Sequence, residues 1–196
     1  MAITKILRSP RLLPPLLLAA AFLLIGNGLY IHAKAQLAQV LIAHAWNRSL
    51  ESPDEVFKPW RWADTTPMLV LQWQSADAQT HDLFVLDGAN GSALAFAPGL
   101  LSGTFAGEAV LKVIAGHRDT HFAFLEHVKP GDTFRVQEKS GRWREYVVAE
   151  TTVADASQSS LYVDTSIDAL LLITCYPFHA IDPGGPLRYL VKAYPV

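Results

Sequence analysis

Residues 12–31 read LLPPLLLAAAFLLIGNGLYI, a run of twenty positions without a charge, and any fold must first dispose of it. A helix of about twenty apolar residues spans the roughly 30 Å hydrocarbon core of a bilayer. Lys5, Arg8 and Arg11 precede the run, whereas only His32 and Lys34 follow closely. The positive-inside rule therefore predicts a single-pass anchor in the inner (cytoplasmic) membrane, with the N-terminus cytoplasmic and everything after it exported. A cleaved signal peptide is the competing reading, because Ala33-Lys34-Ala35 fits the small-x-small cleavage pattern. Against it, the apolar run is long for a signal segment. Pro14 and Pro15 bend or delay the start of the helix, which a membrane face tolerates.

Beyond the run the chain is acidic: without Lys5, Arg8 and Arg11 there remain 13 basic against 18 acidic side chains, a formal charge of −5. Nucleic acid is thereby excluded as the expected partner, since phosphate binding needs clustered basic groups. A single cysteine, Cys175, cannot make an internal disulfide. An unpaired thiol in an oxidising compartment is a liability, which favours a use for it.

Residues 33–50 place Leu37, Val40, Leu41, Ala45 and Trp46 at helical spacing, predicting an amphipathic juxtamembrane helix. Pro53, Pro59 and Pro67 then mark an irregular lead-in. The expected division is 1–32 cytoplasmic tip and anchor, 33–67 helix and linker, and 68–196 globular domain. In that domain MLVLQW, HDLFVLDG, AVLKVIAGH, DTFRVQEK, WREYVVAETTVAD, ALLLITCY and LRYLVKAYP are β-branched or aromatic runs between Gly, Asp, Ser and Pro. Seven or eight closely spaced strands predict an all-β barrel or sandwich. THFAFLEHV is the best helical insert, of about two turns.

Three residue types near strand ends carry chemistry: His117 in VIAGHRDTHFAFL, Cys175 in LLLITCYPF and Arg188 in GGPLRYLVKA. A cysteine nucleophile needs a base or cation beside it, and a tetrahedral oxyanion needs a fixed donor. Taken singly each has a plainer reading: a turn histidine, a core thiol, a surface arginine. Only the pairing of their strands in one sheet can bring them together.

The order His, then Cys at the end of an LxTC strand, then Arg in the next strand, resembles the sortase family of membrane-anchored cysteine transpeptidases. AGEAVLKVIAGHRDTHFAFLEHVKPGD and LLLITCYPFHAIDPGGPLRYLVKA are similar to the sortases of Gram-negative proteobacteria. One departure stands out: Leu171 occupies the position where many sortases carry the first Thr of Thr-Leu-x-Thr-Cys. The resemblance implies an eight-stranded β-barrel in which Cys175 is the nucleophile, His117 the general acid and base, and Arg188 the substrate or oxyanion stabiliser. It further implies an exported protein substrate with a C-terminal LPxTG-like sorting signal, an amine acceptor, attachment to the lipid membrane through the N-terminal helix, and no cofactor.

Weaker candidates surround these. Thr174 could orient substrate or Arg188 through its hydroxyl, or bond to nearby backbone. Asp119 could position His117 or cap the short helix that follows; the cap is the better fit. Leu161 and Tyr162, in ASQSSLYVDTSID, could form an apolar wall of the sorting-signal groove. Glu108, Asp164 and Asp168 lack the spacing of a known calcium loop, so calcium is not expected. His117, His121, Cys175 and His179 could serve a metal hydrolase, yet HRDTH lacks the glutamate that follows the first histidine in zinc peptidases. A hydrolytic Cys-His peptidase and a tethered β-barrel binding module remain as alternatives.

Overall fold

The computed structural model describes residues 13–74, 79–101, 111–158, 168–181 and 184–196. Contacts divide the chain into two compact units, Met1–Val40 and Leu41–Val196, with the division falling inside the first helix, α1 (Leu13–Glu51). Both prolines lie in the first turn of α1 as described, where the amide hydrogens they lack have no intrahelical acceptor. In the N-terminal part of α1, Leu17, Phe22, Leu23, Leu24, Ile25 and Leu29 are all exposed. By length and composition this helix can cross a membrane.

In the second unit the end of α1 is amphipathic, with a stripe different from the expected one. Ile42, Ala45, Trp46 and Ser49 are buried, at the i, i+3, i+4, i+7 spacing of one helical face, whereas Leu37 and Val40 are exposed. Ile42 packs with Leu86, Ala93 and Ala97, flanked by Trp60, Phe84 and Phe96. The proline-rich stretch 52–66 is irregular, as its composition predicts, yet it contributes buried Ala63 and Thr65.

Eight strands close into a barrel in the order β1-β2-β3-β4-β7-β8-β6-β5. They are β1 (Pro67–Gln74), β2 (Thr80–Asp87), β3 (Gly99–Leu100), β4 (Leu111–Ala115), β5 (Thr133–Glu138), β6 (Trp143–Asp155), β7 (Ala169–Cys175) and β8 (Leu187–Pro195). A one-turn helix, α2 (Gly91–Leu94), capped by the Asn90 side chain, precedes β3. Seven strands match the expected runs; β3 is too short to show one. It exists because Gly99 lets two backbones meet: a Cβ there would lie 2.2 Å from the Gly88 carbonyl oxygen.

Strand alternation sorts side chains to two faces. Leu69, Leu71, Ile114, Phe134, Val136, Tyr146, Leu170, Leu172, Val191 and Ala193 fill the interior. Leu111, Val113, Ala169, Leu171 and Leu190 form a second buried cluster on the opposite face of β4, β7 and β8. At the barrel end where β4 begins, Lys112 is 1% exposed. Its ammonium meets Glu138 at 2.9 Å and the Tyr146 hydroxyl at 3.2 Å, the pairing that a buried charge requires. Asp168, considered above as a calcium ligand, pairs with Arg144 and accepts from the Tyr146 hydroxyl.

Candidate active site at the ends of three neighbouring strands

The site follows from register. β4 and β7 are parallel, with Ala115 opposite Ile173, and the ladder continues one step further as the Gly116 amide donates to the Ile173 carbonyl at 3.1 Å. His117 follows two residues after Ala115, the last paired residue of β4, as Cys175 follows Ile173 on the neighbouring strand. Across the antiparallel β7–β8 ladder Cys175 stands directly opposite Arg188. Cys175 and Arg188 fall on the outer face, because Leu171 and Leu190 of the outer cluster precede and follow them at even spacing. Directly opposed Cβ atoms are about 5 Å apart. Thiol and guanidinium are thus neighbours at the end of the barrel where the chain leaves β4 through His117.

The surroundings suit a reactive thiol. Cys175 is half-buried and free, and His117 is exposed. Arg188 donates through Nη1 to the carbonyl oxygens of Gly185 and Leu187, at 2.8 and 2.9 Å. Those bonds fix the plane of the guanidinium, which carries three further donors on Nε and Nη2.

Two weaker candidates change meaning. Thr174 points into the barrel, 2% exposed, and its hydroxyl donates to the Gly116 carbonyl at 2.7 Å. That is the bond to nearby backbone weighed above, and it ties β7 to the residue before His117. Asp119 does not cap the helix after it. That element is a 3-10 turn, Ala123–His127, whose N-cap is Phe122 without a side-chain cap bond. The Asp119 carboxylate instead accepts from Arg118 Nε at 3.3 Å. Leu161 and Tyr162, like Glu108 and Asp164, lie outside the described residues.

His121 is the neighbour whose importance the sequence concealed. Its ring lies 6.5 Å from that of His117, centroid to centroid, and its buried Nδ1 finds no hydrogen-bond partner among the described residues. Burial first, and the nearby His117 second, push its pKa below the ordinary histidine value, opposed by a hydrogen bond with the Phe96 backbone. A base held neutral in the fold but protonated in the unfolded chain lowers stability as pH falls through about 6.5. In chemical denaturation, the stability advantage of wild type over His121→Phe is expected to shrink between pH 8 and pH 5. A constant gap would show that His121 titrates alike in both states.

The metal constellation does not form: among the described residues no three His, Cys, Asp or Glu side chains gather. His179 is 85% exposed at its side chain and meets Glu126 at 2.9 Å. Gly116 and Arg118, which bracket His117, were overlooked. Their signal was the Gly-His-Arg triplet at a strand end, where a glycine permits a close approach and an arginine can reach across to the next loop.

Comparison with known proteins bears on the family and the fold. A family model described as the sortase domain matches residues 75–196. Sortase D of Bacillus subtilis (strain 168) is 31% identical over 80 residues, which are 40% of this chain and 39% of that protein, so the match spans well under two thirds of its length. Among solved structures, sortase A from Corynebacterium diphtheriae superposes with a TM-score of 0.55 at 27% identity, covering 70% of this chain and 64% of that one. A sortase D5 transpeptidase of Clostridium perfringens reaches 0.60 at 17% identity, covering 82% and 99%, a likeness of fold.

Proposed function

Because the chain belongs to the sortase family, we propose that it is a membrane-anchored cysteine transpeptidase acting on the C-terminal sorting signal of an exported protein. The observation that carries this reading is that Cys175 stands opposite Arg188 across β7 and β8, while His117 follows the end of β4, the strand paired with β7 on its other side.

The Cys175 thiolate, stabilised by imidazolium His117, attacks the carbonyl carbon before the scissile bond of an LPxTG-like segment. The oxyanion that forms is held by the remaining donors of Arg188. His117 gives its proton to the leaving amine, the C–N bond breaks, and a thioester to Cys175 remains. An incoming primary amine, deprotonated by the now neutral His117, attacks the thioester; the C–S bond breaks and the thiolate returns. Water in place of the amine gives hydrolysis. The outer cluster of Leu111, Val113, Leu171 and Leu190 gives the face leading to Cys175 an apolar floor, and Leu171 in place of threonine makes that floor greasier.

The uncharged stretch of α1 fits a single span with the barrel on the extracytoplasmic side. Placement among the sortases of Gram-negative proteobacteria rests on segments 106–132 and 170–193 of the sequence alone.

Intact mass of the full chain in detergent, after incubation with an LPxTG-type peptide, tests the reaction. We expect an acyl adduct without amine and amine-coupled peptide once a primary amine is added. Intact peptide and unmodified protein under both conditions would count against this sorting signal. Released acid with no coupling at high amine would identify a peptidase instead.

A further inference from the structure

We propose that Arg118 is a positioning residue, whose guanidinium latches the loop leaving Cys175 to the turn carrying His117 and so sets the separation of thiol and imidazole. The proposal rests on the roles assigned above to Cys175 and His117. The β4–β7 ladder ends at the bond from Gly116 to Ile173. Past it the two chains diverge. One closes into a turn in which the Phe122 amide donates to the His117 carbonyl at 2.9 Å, and the other leaves through Tyr176, whose amide donates to the Leu187 carbonyl at 3.0 Å. The Thr174 hydroxyl still joins the two strands at the Gly116 carbonyl, but the segments that run on from His117 and Cys175 need a bond of their own.

Arg118 supplies that bond. It is 6% exposed, and its Nη2 donates to the Ala180 carbonyl at 2.7 Å, across 62 residues of chain. A guanidinium is costly to bury unless its donors are met. Here the planar fork reaches in two directions, Nη2 to the loop and Nε to Asp119 on its own turn, which a lysine ammonium on a flexible stem does not reproduce. A second tie joins the same two segments, from His179 to Glu126 at 2.9 Å, but its histidine is exposed and the pair correspondingly weak. Among the described residues, charged partners at the turn are Asp119 for Arg118 and His179 for Glu126, and a buried cation whose Nη2 faces the loop backbone is placed to hold geometry rather than to bind substrate.

The test compares full-length wild type, R118M and R118K by steady-state transpeptidation and by the pH profile of Cys175 alkylation. In R118M kcat should fall about tenfold or more, since small misplacements of reacting groups are costly, while KM for the peptide stays within about twofold. Its alkylation midpoint should move to higher pH, because a more distant imidazolium stabilises the thiolate less. R118K should lie between the two. A folded R118M with wild-type kcat and an unmoved alkylation profile would overturn the latch. Should R118M fail to fold, R118K carries the test: a reduced kcat with an upward-shifted midpoint supports the latch, and wild-type values for both overturn it. A wild type that forms no adduct on Cys175 removes the parent reading and the latch together, whereas adduct formation with an unaffected R118M removes the latch alone.

Discussion

Cys175→Ala is expected to give no acyl adduct with the sorting peptide and to lower transpeptidation by about 10⁴-fold or more, the scale seen when a covalent nucleophile is deleted. The expectation is sharp because the substitution is mild in every other respect. Cys175 is the last residue of β7, half-buried on the outer face and outside the interior core, so losing one sulfur atom costs about 1 kcal/mol or less. Its backbone partner Arg188, the Thr174 bond to Gly116 and the apolar floor all remain. Melting temperature should therefore match wild type while the adduct disappears from the intact mass. A variant that still acylates would place the nucleophile elsewhere, and neither His117 nor Arg188 is one. A variant that neither acylates nor keeps its melting temperature would instead assign Cys175 to packing.

Much of this arrangement was legible in the residues, for reasons that differ by element. The seven longer strands showed themselves as β-branched or aromatic runs of five or more residues bounded by turn formers, with β4 and β7, buried on both faces, reading as nearly continuous apolar runs. The uncharged run of α1 was equally plain. Three things were not. Ala45 and Trp46 of the juxtamembrane stripe were legible, but Ile42 was passed over for Leu37 and Val40, because this part of the helix carries apolar residues on more than one face and several satisfy the same spacing. Asp119 followed by threonine and an apolar run mimics a helix cap, but the carboxylate found a stronger partner in the adjacent guanidinium. Thr174 was ambiguous because a strand residue next to a nucleophile can face either way; register decides it, and register is a property of three strands at once. Cys175, His117 and Arg188 were singled out from order and motif. The strands that carry or precede them are neighbours through the parallel pairing of β4 with β7, which nothing local specifies.

Gly116→Ala is expected to cost about 10²-fold in turnover, a larger loss than its effect on folding suggests. Gly116 has no unusual φ; its constraint is space. A Cβ at this position would lie 2.8 Å from Cδ2 of Phe122 and 3.0 Å from its Cγ, and that ring is fully buried in the barrel core. Overpacking of this kind typically costs about 1–3 kcal/mol, because Phe122 has interior neighbours and cannot simply swing aside. Relief is easier on the other side, by lifting the Gly116 backbone. That backbone, however, carries the amide bonded to Ile173 and the carbonyl bonded to Thr174, and it leads directly into His117. Movement of a few tenths of an ångström there is transmitted to the imidazole, and near-attack geometry is sensitive on that scale. Kinetics and calorimetry on the same preparation separate the two effects: a Gly116→Ala protein that has lost a few degrees of melting temperature and about 10²-fold of kcat, with peptide KM nearly unchanged, fits a displaced base. Full activity at reduced stability would mean that Phe122 gives way instead, and that the His117 turn is held from elsewhere.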